Sequence, residues 1–518
     1  MTNRLIQPIR RSVLGGGAAL GALGLAGMPA FAETPKRGGT VRVALAEGST
    51  QDSLNPWTYT DIYMMSVGFA THSTLTEISP SGELVGDAAE SWEGSNAAQT
   101  WTFKLRPEVT FSDGRPLRPE DVIGSLKFHG GEDSGSGMRT TADMITDIRK
   151  DGDHAVVFEL QGPNADFPFL MADYHFILMP VEEDGKPNWQ DFIGTGGYTL
   201  EDHQAGVRTL LKRRDDYWKE NRAWFDEIEI LYVPDVSSRQ SGLQTGEIDI
   251  MSRVDLKTVG LLERVPSVKV EEATGFLHYT FPMNTGLNPY DNNELRLALK
   301  HGIDRETMVK TILNGRGIVG NDHPIAPSVP YHNTELAQRA YDPDKAKFHL
   351  KNAGLDNIDL TCAAADAAYS GALDATVLYR EHLAPAGINL TVDRKPNDGY
   401  WSDVWMQEPF CACYWGGRPT CDWMFSSAYA SGADWNDTFW EHDRFNELLV
   451  QARGELNSDL RSEMYGEMQQ IVSDDGGVVV WAFANYVYAM SDKVTHGPDV
   501  ASNWEMDGGR WTERWWFA

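Results

Sequence analysis

Between residues 359 and 392 the chain reads strand, helix, strand, and no other feature of the sequence constrains the fold as much. Residues 359–362 are strand-like, 373–384 carry a helical pattern, and 388–392 turn apolar and β-branched again. Strands joined by a helical crossover pair in parallel, because the helix packs back onto the sheet with only one hand. The surrounding sequence agrees. Residues 294–301 and 305–313 read as helices, the second capped by Asp304 and stopped by Gly315. Asp342-Pro343 opens another helix that Gly354 ends. The first half has a different character: residues 40–45, 101–105, 155–160 and 225–233 alternate as half-buried strands, and Pro119-Glu120-Asp121 opens a helix. No Pro-rich or Gly/Ser-rich linker divides the halves, and the one biased patch, residues 130–137, reads as a surface loop. The expectation is an α/β protein of at least two lobes, threaded by more than one crossing of the chain.

A length of 518 residues allows two to four domains. A net charge of −30 argues against nucleic acid or anionic lipid as a partner, since both would be repelled. The N-terminus is the exception to the acidity. Arg4, Arg10 and Arg11 precede a mild apolar run over residues 13–26, and Ala30 and Ala32 supply the small residues a signal peptidase reads. Ile9-Arg10-Arg11-Ser12-Val13-Leu14 resembles a twin-arginine export signal. Residues 1–32 are therefore expected to be a signal peptide cleaved near Ala32, leaving a periplasmic protein with no membrane insertion.

Motifs for catalysis and metal binding are tested and set aside. Gly315-Arg316-Gly317-Ile318-Val319-Gly320 matches GxGxxG, but a helix precedes it and turn residues follow, the reverse of a dinucleotide site. No GxSxG, HExxH, GxxxxGK[ST] or CxxC occurs, so no enzyme, cofactor or metal is expected. Of four cysteines, Cys411, Cys413 and Cys421 cluster. A disulfide, most simply Cys413–Cys421, buried free thiols, and a soft-metal site all remain open. His72, His278 and His323 sit among apolar or turn residues and read as structural.

The tryptophans are more informative. Trp401, Trp405, Trp415, Trp423, Trp435 and Trp440 crowd into 40 residues, interleaved with Tyr400, Tyr414, Arg418, Asp422, Asp434 and Asp437. Aromatic rings set among charges in a Gly- and Pro-containing loop suit a cleft that sandwiches a small polar solute. The competing reading is a Trp-rich core.

Several segments, taken in order, resemble the extracytoplasmic solute-binding proteins of bacterial ABC importers, peptide/opine/nickel class (family 5). They are Arg37-Gly38-Gly39-Thr40, Asp52-Ser53-Leu54-Asn55-Pro56 and Leu84-Val85-Gly86-Asp87-Ala88-Ala89-Glu90-Ser91-Trp92. Trp101-Thr102-Phe103-Lys104-Leu105-Arg106, running through Phe111-Ser112-Asp113-Gly114 to Pro119-Glu120-Asp121-Val122, is the most specific. Gly194-Thr195-Gly196-Gly197-Tyr198 departs from the usual pattern by Gly197 in place of Pro. Thr245-Gly246-Glu247-Ile248-Asp249 and the stretch from Met283-Asn284-Thr285 through Arg296, Ala298, Asp304 and Arg305 complete the match.

The resemblance implies a two-lobed periplasmic binding protein fold, type II, with mixed sheets and an inserted subdomain. Lobe I would comprise residues 33–72, 195–281 and 484–518, the insertion 73–194, and lobe II 282–483. It implies a monomer that captures a small peptide-like, opine-like or amino-acid-derived solute and delivers it to an ABC permease driven by an ATPase at the inner membrane. A chemoreceptor-coupled sensor or an exported enzyme is the alternative. By family position Ser53, Leu54, Asn55 and Trp57 would line the site from lobe I. Asn284, Tyr400, Trp401, Tyr414, Trp415, Arg418, Asp422 and Trp423 would line it from lobe II or the hinge. Peptide-binding members carry an Asp where this chain has Arg418, a change that favours an anionic group on the ligand. Asp422 is then either displaced pocket chemistry or a partner of Arg418.

Overall fold

The computed structural model describes residues 35–396, 400–433 and 435–518, so the expected export signal lies outside the described residues. The segment Val478–Ser491 (VVVWAFANYVYAMS) is apolar almost throughout, and nearly every residue is buried. A strand covered on both faces needs such a run. It pairs antiparallel with Val268–Pro282, from Val268 opposite Ser491 to Pro282 opposite Val478. At about 3.3 Å per residue, these strands of 14 and 15 residues each extend roughly 45–50 Å. One end of the ladder continues through Ile250–Met251, Thr40–Leu45, Glu227–Tyr232, Arg208–Arg213 and Tyr198–Gln204. The other end is flanked by Cys413–Trp415 and Gly317–Val319. The two lobes of this α/β fold thus share two long strands, which is why the sequence carries no linker.

The ladder is irregular between Thr274 and His278. Gly275 lies there against Tyr486, and a Cβ on it would stand 2.1 Å from the Tyr486 ring. Only glycine permits that approach, and the break in pairing is where the strands can bend.

Local signals match the elements closely. Asp304 accepts from Thr307 N at 3.0 Å to cap Arg305–Ile312, and Asp342 accepts from Lys345 N at 2.8 Å to cap Pro343–Asn352. Ile358–Ala364 and Ile388–Arg394 pair in parallel around the helix Ala372–Leu383. They form a separate two-stranded sheet packed on a core that includes Phe281, Leu299, Tyr379 and Trp481. In the first half, Ala89–Ser95, Thr100–Leu105, Ala155–Leu160 and Ile145–Lys150 make an antiparallel sheet over Phe103, Phe158 and Phe167. Gly317–Val319, inside the GxGxxG string, is a strand paired with Val478–Ser491. No helix follows it, so it offers no phosphate a helix N-terminus.

A second seam joins the two halves away from the long strands. Arg461 donates to Asp166 at 2.7 Å in a buried pair, with its guanidinium over Tyr331 and Tyr465. Ala165 N donates to Arg453 O at 2.7 Å beside it.

Candidate ligand-binding site

A cavity of about 710 Å³ opens where the long strands meet loops of both lobes. Its size suits a solute of amino-acid to short-peptide dimensions. Three of its walls come from segments that leave the carboxyl ends of strands running in parallel. Glu47 follows Thr40–Leu45, Arg253 follows Ile250–Met251, and Asp366 to Tyr369 follow Ile358–Ala364. Ligands of α/β proteins sit at such ends, where the loops diverge and leave a crevice. Tyr279, Tyr486 and Tyr488 come from the two long strands, Tyr174 and Trp504 from loops. Tyr279 stacks on Tyr369, with ring centroids 4.0 Å apart and planes 8° from parallel.

Arg418 enters this cavity from the loop after Cys413–Trp415. Gly417 makes the entry possible: its φ is +72°, and a Cβ there would fall 2.2 Å from the Phe276 Cβ. Arg418 Nη1 donates to Gly417 O at 2.6 Å, and the guanidinium lies 5.7 and 5.9 Å from the Trp423 and Trp435 ring centroids. Among the described residues it has no carboxylate within ion-pairing distance. Burial lowers its pKa, yet a guanidinium remains cationic. Tyr414 also lines the cavity and meets Trp401 edge-on at 5.4 Å.

The other residues singled out from the sequence lie outside the cavity lining, for identifiable reasons. Asp422 pairs with Arg453 at 3.0 Å, not with Arg418, and burial pushes its carboxyl up to about 6. Trp415 is buried; its indole and that of Trp405 both donate to Asp437, at 3.2 and 3.1 Å. Trp423 serves as a floor beneath Arg418 and packs on the first-half core. The Tyr400 hydroxyl is buried and donates to Ala412 O at 2.7 Å. Trp401 stands exposed beside Tyr414. Asn284 accepts from Gly286 N at 3.0 Å in a turn. Ser53 accepts from Asn55 N, and Asn55 caps the short helix Pro56–Thr58 by accepting from Trp57 N. Leu54 packs on the core of the same lobe, while Trp57 stacks on Phe128 at 4.6 Å and donates to its carbonyl. The aromatic segment thus divides: Trp415 and Trp440 are core, and Tyr414 reaches the cavity.

The Cys413–Cys421 disulfide is a correction. All four cysteines are free and buried; Cys413 Sγ is directed to Tyr414 O and Cys421 Sγ to Pro330 O. Burial pushes all four thiols up, so the reactive thiolate is suppressed. We expect an aromatic disulfide reagent to label none of them in the native protein, and dithiothreitol to leave the melting temperature unchanged. Rapid labelling without denaturant would contradict these positions. Among the described residues, no group of three or more His, Cys, Asp or Glu side chains is placed to hold a metal ion, and no helix is long and apolar enough to cross a membrane.

The sequence patterns had not pointed to Glu47, Asp61, Arg253 and Glu505, which form one charged wall of the cavity. Arg253 bridges Glu47 and Glu505, each at 2.6 Å. Burial, reinforced by Glu505 and Asp61 and opposed by Arg253, pushes the Glu47 carboxyl up to about 7. Asp61, N-cap of the helix Ile62–Thr71, is also raised, mainly by burial.

Residues 83–437 match the family model for bacterial extracellular solute-binding proteins, family 5 (middle region). The chain is 25% identical over 440 residues to the dipeptide-binding protein of Escherichia coli K12, covering 77% of this chain and 81% of that one. It superposes on the ABC transporter substrate-binding protein CtaP from Listeria monocytogenes with a TM-score of 0.79 at 19% identity, covering 92% and 99% of the two chains. The periplasmic binding protein AgaA from A. tumefaciens R10, in complex with agropinic acid, gives a TM-score of 0.74 at 21% identity, covering 93% and 99%. With the match spanning well over half its length, this chain belongs to the family 5 bacterial extracellular solute-binding proteins, the non-enzymatic substrate-binding components of ABC importers.

Proposed function

We propose that this protein captures a small peptide-like, opine-like or amino-acid-derived solute bearing a carboxylate or comparable anion. The observation that carries this reading is Arg418: a guanidinium in a shared cavity, resting on tryptophan and without a carboxylate partner among the described residues. Its planar fork matches a carboxylate in two parallel hydrogen bonds, while the tyrosines supply apolar walls and hydroxyls. The relatives fit that range, one named for dipeptides and one solved with agropinic acid. Closure would bring the Arg418 loop and the Glu47–Arg253 wall onto opposite sides of the solute, so that the closed form gains from contacts in both lobes. We further infer that residues 1–32 are a twin-arginine-type signal removed near Ala32, and that the mature protein is a periplasmic monomer. Lobe I would be residues 33–72, 195–281 and 484–518, with 73–194 inserted and 282–483 forming lobe II.

A thermal-shift screen of peptides, opines, amino acids, sugars and inorganic anions tests the ligand reading. A solute at 100 times its Kd is expected to stabilise the fold by about 2.7 kcal/mol. A screen in which only uncharged sugars shift melting would sink it.

A further inference from the structure

We propose that the seam at Asp166 is a releasable clasp, by which the inserted segment 73–194 holds residues 420–461 and sets how readily the ligand-free protein opens; this rests on the division into lobes proposed above. The long strands are one connection between the lobes, and their ladder is irregular between Thr274 and His278, beside Gly275. A rotation at that point has to part or shear whatever joins the lobes elsewhere. Among the described residues, one ion pair and one backbone hydrogen bond cross the seam. Arg461 donates to Asp166 at 2.7 Å, and Ala165 N donates to Arg453 O at 2.7 Å. The backbones approach closely there: a Cβ on Gly454 would stand 2.8 Å from the Pro163 Cβ.

The charges at the seam balance only when its two sides meet. Asp422 pairs with Arg453 at 3.0 Å, which leaves Arg461 as a surplus cation on that side. Asp166 brings the missing carboxylate, and both members of this pair are buried. Arg461 engages one Asp166 oxygen, and the other has no hydrogen-bond partner among the described residues. The contact is therefore single-point, not the stronger two-point fork, which suits a joint that has to release. The clasp also reaches Arg418. The helix Cys421–Ala428 carries Asp422 and, next to it, Trp423, whose ring lies 5.7 Å from the Arg418 guanidinium and also packs on the first-half core. A solute that seats Arg418 on Trp423, and a clasp that seats the same helix on the inserted segment, favour one closed arrangement.

Amide hydrogen exchange and small-angle X-ray scattering on the ligand-free protein at pH 7.5 provide the test, with Asp166→Asn and Gly454→Ala as variants. The first removes the charge at nearly constant shape; the second crowds Pro163 and leaves every charge in place. Each should speed exchange of the Ala165 amide about tenfold or more, loosen residues 421–428 with it, and enlarge the radius of gyration. The paired strands 268–282 and 478–491 should keep their protection. An unchanged radius in either variant, with or without faster exchange at Ala165, would mark a fixed interface and overturn the clasp. If exchange instead rises together through the first-half sheet around Phe103 and through residues 282–483, the division into lobes fails and takes the clasp with it.

Discussion

Replacing Arg418 by alanine is expected to weaken solute binding by about two orders of magnitude while leaving the ligand-free protein close to its original stability. Truncating one partner of a buried, hydrogen-bonded charge pair costs about 2–5 kcal/mol of binding energy, and each 1.4 kcal/mol is tenfold in Kd. The ligand-free protein has little to lose. Arg418 makes no ion pair among the described residues; its partners are one neighbouring carbonyl and the Trp423 and Trp435 faces. A cation–π contact is worth roughly 0.5–1 kcal/mol at an exposed site and about 2 kcal/mol when desolvated, which sets the upper end of the expected loss. Arg418→Lys should fall between the two, keeping the charge and losing the planar fork. Titration calorimetry beside a melting curve separates the outcomes. A large fall in ligand-free stability, or unchanged affinity, would show that Arg418 is a structural residue.

The second large effect concerns stability alone. Arg510→Met is expected to destabilise the fold by about 3–5 kcal/mol in urea unfolding, the usual cost of removing one member of a buried charge network. Arg510 lies within 3.3 Å of Glu77, 3.2 Å of Asp87 and 3.5 Å of Glu513. Lys219 completes the centre, at 2.8 Å from Asp87 and 3.0 Å from Glu77. Arg510 and the acids are buried and Lys219 is mostly buried, so the acids would be left with one compensating charge fewer. Four bases, Lys219, Arg510, Arg514 and Arg222, outweigh the cost of burying Glu77 and hold its carboxyl well below the usual range; Glu513 is lowered by Lys219 and Arg510. A carboxylate lowered in the folded state contributes stability that is full above its unfolded pKa, near 4.5, and is lost as pH falls through the folded value. The wild type should therefore retain this contribution at pH 5, whereas Arg510→Met should lose stability at pH 5 and pH 7 alike. A change within about 0.5 kcal/mol would mean that the network is energetically neutral.

This network also explains how the C-terminus is anchored. The helix Trp511–Arg514 and the residues before it return to the first half of the chain, where Arg510 and Arg514 both meet Glu77; Arg514 also pairs with the neighbouring Asp507. No local pattern in residues 505–514 announces that role, because the first-half partners Thr74 and Asp87 lie more than 400 positions away.

Secondary structure was legible wherever the signal was local. The Asp caps at 304 and 342, the parallel pair around Ala372–Leu383 and the alternating strands of the first half needed only neighbouring residues. The site was legible in part. Arg418 and Tyr414 stood out as a charge and a ring in a glycine-bearing loop, and both reach the cavity. Trp415 and Asp422 looked the same in one dimension, yet Asp437 and Arg453 draw them into the interior. The chain by itself determined the family, the lobed α/β class and the arginine at position 418, because these depend on residue order and identity. Only the tertiary structure decided that Glu47, Asp61, Arg253 and Glu505 come together in a charged wall of the cavity that Arg418 also lines. These four residues are spread over 458 positions from Glu47 to Glu505, and only the two long shared strands, with the parallel strand ends beside them, bring them to one cavity.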